Sequence, residues 1–560
     1  MEVILLSRNA QSRFALNPTN INIARSSFDR NSSIKLSFNV GDIIPFYVDE
    51  VLPGDTFNIK TSKVVRLQTP ITPFMSDLYL DTYYFFVPNR IVWDHWKEFC
   101  GENTQSAWIQ SVEYAVPQLT APDGGWQIGT IADYMGIPTG VSNISVNALP
   151  FRAYALICNE WFRDENLCDP LAFDKGDAVV AGVNTGTYVT DVAKGGLPYK
   201  AAKYHDYFTS CLPAPQKGPD VMIPGGTGAN VPVYALEDIV PDSPGYGLFG
   251  TSYSLDASNR VSGSLMANTR SSTGDTFRPS DSPVIPSGSQ AIFEPTNLWA
   301  VGDSSVASAT INQLRLAFQI QKLYEKDARG GTRYVEMLKS HFGVTAPDAR
   351  LQRPEYLGGN RAPIRVNQVV QTSSSVENSA QGNTAAYSQT VDMNNDFTKS
   401  FTEHGFVIGL CVARYPHTYQ QGIERMWSRK TRFDYYYPVL ANIGEMSVKN
   451  KEIYAQGTGQ DDEVFGYQEA WAEYRYKPSR VAGEMRSSAS TSLDVWHLGD
   501  DYEKLPTLSA EWIFEDTNTV DRVLTVTSKV SNQLFGDFYI ENKTTRPMPV
   551  YSIPGLIDHN

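Results

Sequence analysis

The residues in this chain best placed to do chemistry lie between positions 414 and 445. That stretch reads RYPHTYQQGIERMWSRKTRFDYYYPVLANIGE. It sets Arg414, Arg425, Arg429, Lys430 and Arg432 among Tyr415, Tyr419, Trp427, Phe433, Tyr435, Tyr436 and Tyr437. Its only acids are Glu424, Asp434 and Glu445. Cations interleaved with aromatic rings can follow a phosphate backbone and stack bases, as single-stranded nucleic-acid sites do. A second reading uses no chemistry. A short helix near residues 423–430 buries Trp427, and the tyrosines belong to the core or to a subunit interface. Both readings stand on the residues alone.

Catalytic constellations do not rise above chance. The sequence contains no phosphate loop of the G-x-x-x-x-G-K-[ST] type, no H-E-x-x-H and no G-x-S-x-G. Its seven histidines are scattered, and no two stand at metal-ligand spacing. His417 sits in the basic-aromatic stretch, where a satisfied structural histidine is the simpler reading than a base. Asp461, Asp462 and Glu463 could hold a cation or form a solvated turn. With 61 acids, carboxylate pairs at glycosidase spacing arise by accident. The expectation is a protein without catalysis, cofactor or metal.

Composition narrows the setting. The 560 residues are 41% hydrophobic and carry a net charge of −14, so a uniformly charged surface would repel nucleic acid. Any bound DNA therefore needs cations gathered on one face. Thirty Tyr and ten Trp favour positions that are half apolar and half wet, such as interfaces. Five cysteines without a C-x-x-C pair signal neither zinc nor a disulfide framework, and read as buried thiols in a reducing cytoplasm. The apolar run at residues 3–6 is too short for a signal peptide, and no run approaches the ~18 residues of a membrane helix.

The elements that must position these residues are mostly strands. Residues 1–40 are polar and carry Arg8, Arg13, Arg25, Arg30 and Lys35 against Glu2 and Asp29, a charge of +3. They read as an extended arm or as a disordered terminus. Strand–turn–strand patterning begins at Ile43, and a β-prone aromatic run leads through Val87 to Pro88. IVWDHWKEFCGE reads as a helix, as does the segment from Leu149. Residues 213–290 hold ten Gly and ten Pro, and 213–306 carry a charge of −5. This span is either disordered or a surface excursion, and the short β-like pieces VPVYAL, GLFGTSYSL and QAIFEP favour the excursion. Helices return over 311–342, broken at Gly330 and Gly331. Residues 371–396 read as a polar loop, and 406–412 as a strand buried on both faces. RVLTVTSKV reads as an alternating strand.

Several long segments resemble the major capsid protein of gokushoviruses, small single-stranded DNA phages of the microvirus group. They are FDRNSSIKLSFNVGDIIPFYVDEVLPGDTF, MSDLYLDTYYFFVPNR with the helix after it, the 414–445 stretch, EMSVKNKEIYAQGTG and VFGYQEAWAEYRYKPSRVAGEM. The resemblance implies a mainly β chain built on an eight-stranded antiparallel jelly roll, with long interstrand insertions and a few helices. It divides the sequence into an arm (1–40), a first jelly-roll part (41–212), an insertion protruding at threefold axes (213–306) and a second part with a C-terminal arm (307–560). It implies self-association into pentamers and a T=1 icosahedral shell around circular single-stranded DNA. Implied partners are small internal scaffolding, DNA-binding and pilot proteins and a host surface receptor, with no membrane insertion. The protein would be assembled in the host cytoplasm and end in the virion. The expected DNA-facing residues are Arg8, Arg13, Arg25, Arg30 and Lys35 of the arm, and Arg425, Trp427, Arg429, Lys430 and Arg432. The competing class is a glycan-binding or glycan-degrading β-sandwich protein. It explains the aromatics and acidity but predicts a secretion signal.

Overall fold

The structure is a computed structural model. It describes residues 24–103, 113–219, 221, 311–373, 375 and 380–551, together with the backbones of five short strands between 233 and 300. Two compact units divide the chain: Gly218–Tyr324, and the remainder.

Eight strands frame the larger unit: β1 (Ser32–Phe38), β2 (Ile44–Val51), β3 (Thr56–Leu67), β4 (Tyr79–Pro88), β5 (Glu355–Pro363), β6 (Thr390–Ser400), β7 (Gly405–Arg414) and β8 (Leu534–Arg546). One sheet runs β1-β8-β3-β6 and the other β2-β7-β4-β5, every pairing antiparallel. Strands that follow one another mostly change sheet, which is jelly-roll connectivity; the two sheets stay separate, without closing into a barrel. A short strand, Ser26–Asp29, pairs with the far end of β8. Most of residues 26–38 of the expected arm is therefore sheet.

The sheets meet on an apolar layer. Phe57, Ile59, Val65, Phe538 and Ile540 face Phe46, Leu80, Tyr84 and Val407. Period-two alternation sends the intervening residues of β4 and β7 outward: Phe85, Val87, Phe406, Ile408, Leu410 and Val412 enter a second core. There they meet helix α1 (Leu149–Ile157), Trp93 and Trp126. Sheet β2-β7-β4-β5 is thus covered on both faces, and the run at 406–412 is buried throughout as its composition predicts. Gly409 leaves room for three aromatics: a Cβ there would stand 2.9 Å from the Tyr84 ring and 3.0 Å from Phe46 and from Tyr47.

Several local expectations need correction. The expected 371–396 loop gives way to strand in its second half: Thr384–Ser388 pairs with Val366–Val370, and β6, from Thr390, pairs with β3. Its half-buried acids find polar partners on β3, the neighbouring strand of the same sheet. Lys63, fully buried, pairs with Asp392 at 2.9 Å, and Thr61 bonds Asp396 at 2.5 Å. RVLTVTSKV is not a strand. Helix Asn518–Val523 leads into a turn in which Asp521 accepts from the Ser528 amide and hydroxyl. IVWDHWKEFCGE forms two single turns, Asn89–Val92 and Trp96–Phe99, separated at Trp93. The break keeps Trp93 buried with its indole on Asp177, at 2.7 Å.

Helix α2 (Ile311–Gly330) crosses the boundary between the units, and α3 (Tyr334–Phe342) follows a break at Gly331, whose φ is +85°. In the smaller unit a three-stranded sheet orders Val261–Met266, Gly250–Leu255 and Ala291–Pro295, and Val233–Ala235 pairs with Leu298–Ala300. Three of these five strands, Val233–Ala235, Gly250–Leu255 and Ala291–Pro295, fall in the β-like pieces noted above. The rest of the expected 213–306 insertion lies mostly outside the described residues. Among the described residues no helix is long and apolar enough to cross a membrane.

Candidate functional site

The basic-aromatic stretch begins where β7 ends. Arg414 closes that strand on Asp81, at 2.7 Å, and lies over the Tyr204 ring. Three residues later the chain buries His417 between Asp500, at 2.9 Å, and Glu515, at 3.1 Å. Burial alone would lower the imidazole pKa, but the two carboxylates outweigh it and raise it to about 10. His417 is therefore an imidazolium at neutral pH, a structural cation that cannot act as a base. The same contact, working against burial, holds the Asp500 carboxyl below its ordinary range.

Beyond it, a single 3-10 turn, Arg425–Ser428, replaces the expected helix. Arg425 turns inward, donating to the Ser447 carbonyl at 2.8 Å and lying 3.6 Å from Glu452. Arg429 turns the same way, onto Glu473 at 3.2 Å, with its guanidinium 4.2 Å from the Tyr474 ring centre. Desolvation raises the Glu452 pKa even beside Arg425. With residues 425 and 429 committed inward, Trp427 between them points out and is 71% exposed. This corrects the reading in which the turn buries Trp427. Lys430 and Arg432 are exposed too, Arg432 lying 4.7 Å from the Phe433 ring centre. Asp434 folds back to accept from the amides of Lys430 and Thr431, at 2.8 and 2.6 Å. A cavity of about 690 Å³ opens beside the turn, its wall including Met426, Trp427, Tyr474, Tyr476, Lys477 and Arg480.

The basic arm is spread differently from its sequence cluster. Arg8 and Arg13 lie outside the described residues. Arg25 is exposed and donates to Thr56 Oγ1 at 2.9 Å. Arg30 forms a two-point bond with Asp49 at 2.7 and 2.6 Å, so its charge is already matched. Lys35 makes an exposed pair with Asp537 at 3.3 Å, which leaves it largely available to solvent. Of the ten expected residues, the eight described divide into internally paired cations (Arg30, Arg425, Arg429) and exposed groups (Arg25, Lys35, Trp427, Lys430, Arg432).

Sequence reasoning missed the acids that do this sorting. Glu452 and Glu473 lie in a different part of the chain from the arginines they hold, with no motif linking them. The same is true of Asp81, which binds both Arg361 and Arg414. Asp461 and Asp462 form a turn: Asp461 accepts from the Gln456 and Gly457 amides, and Asp462 pairs with Lys449 and Lys451. Among the described residues, no group of three His, Cys, Asp or Glu is arranged to hold a metal ion.

The comparisons with known proteins cover almost the whole chain. The profile of a family described as capsid protein (F protein) matches residues 18–556. Capsid protein VP1 of Spiroplasma virus 4 is 47% identical over 524 residues, covering 93% of each chain. Capsid protein VP1 of Bdellovibrio phage phiMH2K is 44% identical over 550 residues, and that of Chlamydia phage 1 is 43% identical over 590, each covering 98% of both chains. With a jelly-roll framework and similarity along its full length, the chain belongs to the capsid protein (F protein) family, as a structural capsid protein of the gokushovirus kind.

Proposed function

We propose that this chain is the repeating subunit of a small T=1 icosahedral shell, one copy per asymmetric unit, enclosing circular single-stranded DNA. The observation that carries this reading is similarity to capsid proteins over nearly every residue, loops included. The subunit does no chemistry. It assembles in the host cytoplasm, aided by small internal scaffolding, DNA-binding and pilot proteins, and ends in the virion. The insertion at 213–306, with its charge of −5, faces outward at threefold axes and contacts the host surface. Electron microscopy of the protein co-expressed with the other phage proteins tests this. Closed shells of uniform size are expected, and a chain that stays monomeric overturns the reading.

The N-terminal arm is the proposed DNA contact. A net charge of −14 conflicts with an anionic cargo unless cations are segregated. Arg8 and Arg13 stand ahead of the first described strand, and Arg25 and Lys35 are exposed. On single-stranded DNA each phosphate contact contributes about −0.7 to the log–log salt slope, so losing Arg8 and Arg13 flattens it by about 1.4. One arm binds weakly, and retention comes from many copies acting together. Arg8→Ala with Arg13→Ala should leave shells intact but poorly filled; normal filling removes the arm from the mechanism.

A further inference from the structure

We propose that the exposed aromatic face at residues 427–439 is a contact surface for a second copy of this chain, covered on assembly and not occupied by DNA. The proposal rests on the capsid reading above and goes beyond it by naming the surface.

Two observations select the partner. The first is area. Trp427 is 71% exposed and Val439 92%, while Phe433, Tyr435, Tyr436 and Tyr437 are between 46% and 64% exposed. An aromatic side chain presents about 150–250 Å² when fully exposed. These six residues therefore leave roughly 700 Å² of largely apolar surface in water. The largest apolar patch on a soluble monomer is about 300–600 Å². A standard interface buries about 800 Å² on each partner. The face is too apolar for permanent exposure and about the right size for a subunit contact.

The second observation is charge. A strand of DNA needs unmatched cations along its path. Here Arg425 and Arg429, the cations nearest Trp427 in sequence, are held internally by Glu452 and Glu473. Lys430 and Arg432 remain exposed, and Arg432 already lies over Phe433. What faces outward is a row of rings with Lys430 and Arg432 at one side, while Lys477 and Arg480 in the cavity beside Trp427 are already paired with Glu424. Such a surface suits an apolar partner that carries carboxylates, and copies of a chain with 61 acids supply them. A contact between unlike patches of identical chains generates a closed ring when its rotation closes.

Full-length chain with its phage partner proteins provides the test. Trp427→Ala and Val439→Asp each change a side chain that packs little in the monomer, so both variants should keep the wild-type melting temperature. Light scattering should show at least a tenfold rise in the protein concentration needed for assembly. Lys430→Gln with Arg432→Gln, which keeps the rings but removes the charges facing the partner's carboxylates, should raise that concentration by a smaller factor, about two- to fivefold. In wild type, Trp427 should become protected from acrylamide quenching as assembly proceeds. Wild-type assembly by all variants overturns the surface and leaves the capsid reading intact. Normal shells that fail to hold DNA when Trp427 is changed assign the face to nucleic acid instead, and also overturn it. A wild-type chain that never associates overturns the capsid reading and the surface together.

Discussion

Strand β7 and the segment that follows it are consecutive in the chain and opposite in construction. From Gly405 to Ala413 every residue is buried, and none is charged. From Tyr415 to Val439 the buried or inward-turned groups include His417, Arg425 and Arg429, while Trp427, Phe433 and Tyr435–Tyr437 face water. The first segment is finished within one chain, because its apolar surface is already covered on both sides. The second is finished only inwardly. Its inward-turned charges are matched, and the rings, with Lys430 and Arg432, are left without cover. A segment that buries charge and exposes aromatics is stable in the monomer yet prepared for something outside it.

Four substitutions sharpen or break that contrast. The largest effect is expected in β7. Gly409→Val drives a branched side chain into Tyr84, Phe46 and Tyr47, with no flexible group able to yield. Overpacking on this scale should cost about 3 kcal/mol or more and abolish soluble expression. A well-folded Gly409→Val protein would mean that the sandwich is much looser than its contacts imply.

His417→Gln comes next, because it strands Asp500 and Glu515 in the interior. The loss should be on the order of 3 kcal/mol in chemical denaturation near neutral pH. Its pH dependence is diagnostic. The folded pKa of about 10 lies above the unfolded value of 6.5. His417 therefore contributes fully below about pH 6.5, and the contribution fades as pH rises through about 10. Wild type and variant should converge in stability on the alkaline side. A constant difference from pH 6 to 10 would show that His417 is not a buried cation.

Glu473→Gln should have a smaller effect, about 1–2 kcal/mol, by leaving Arg429 with only partial hydrogen bonding in a part-buried place. Thermal denaturation measures it. No change would indicate that the arginine reaches water as readily as it reaches Glu473. Trp427→Ala should be the mildest, within about 0.5 kcal/mol for the unassembled chain, as for other exposed positions. A loss near that of a core aromatic would show that Trp427 is packed in the monomer, and the contrast between the two segments would collapse.

Residue by residue, legibility follows the same division. The run at 406–412 declares a buried strand because every side chain agrees. β6 does not, because Thr390, Asp392, Asn394 and Asp396 resemble loop residues until Lys63 and Thr61 are placed opposite them. Lys63 stands more than three hundred positions earlier in the sequence. The basic-aromatic stretch stands out by its composition. Its orientation is not legible there, since Glu452 and Glu473 choose which side chains turn in, and pairings at that separation leave no local periodicity. The framework itself was legible mainly through long family-like segments, since eight strands spread over more than five hundred residues give no continuous pattern.

The position of β8 also has a meaning in time. It lies between β1 and β3, two of the earliest strands to be made, yet it begins at Leu534. At about 5–20 residues per second, a ribosome needs roughly half a minute to two minutes to reach it. Until then β1 and the β8-side edge of β3 have no neighbour on that side, and the sandwich cannot close. Every subunit is thus withheld from its final shape until nearly all of it has been synthesised. An interrupted chain lacks the centre of one sheet and cannot enter a growing particle as a well-formed piece. The order of strands in space acts as an inspection at the end of translation, passing only chains that have been read almost to completion.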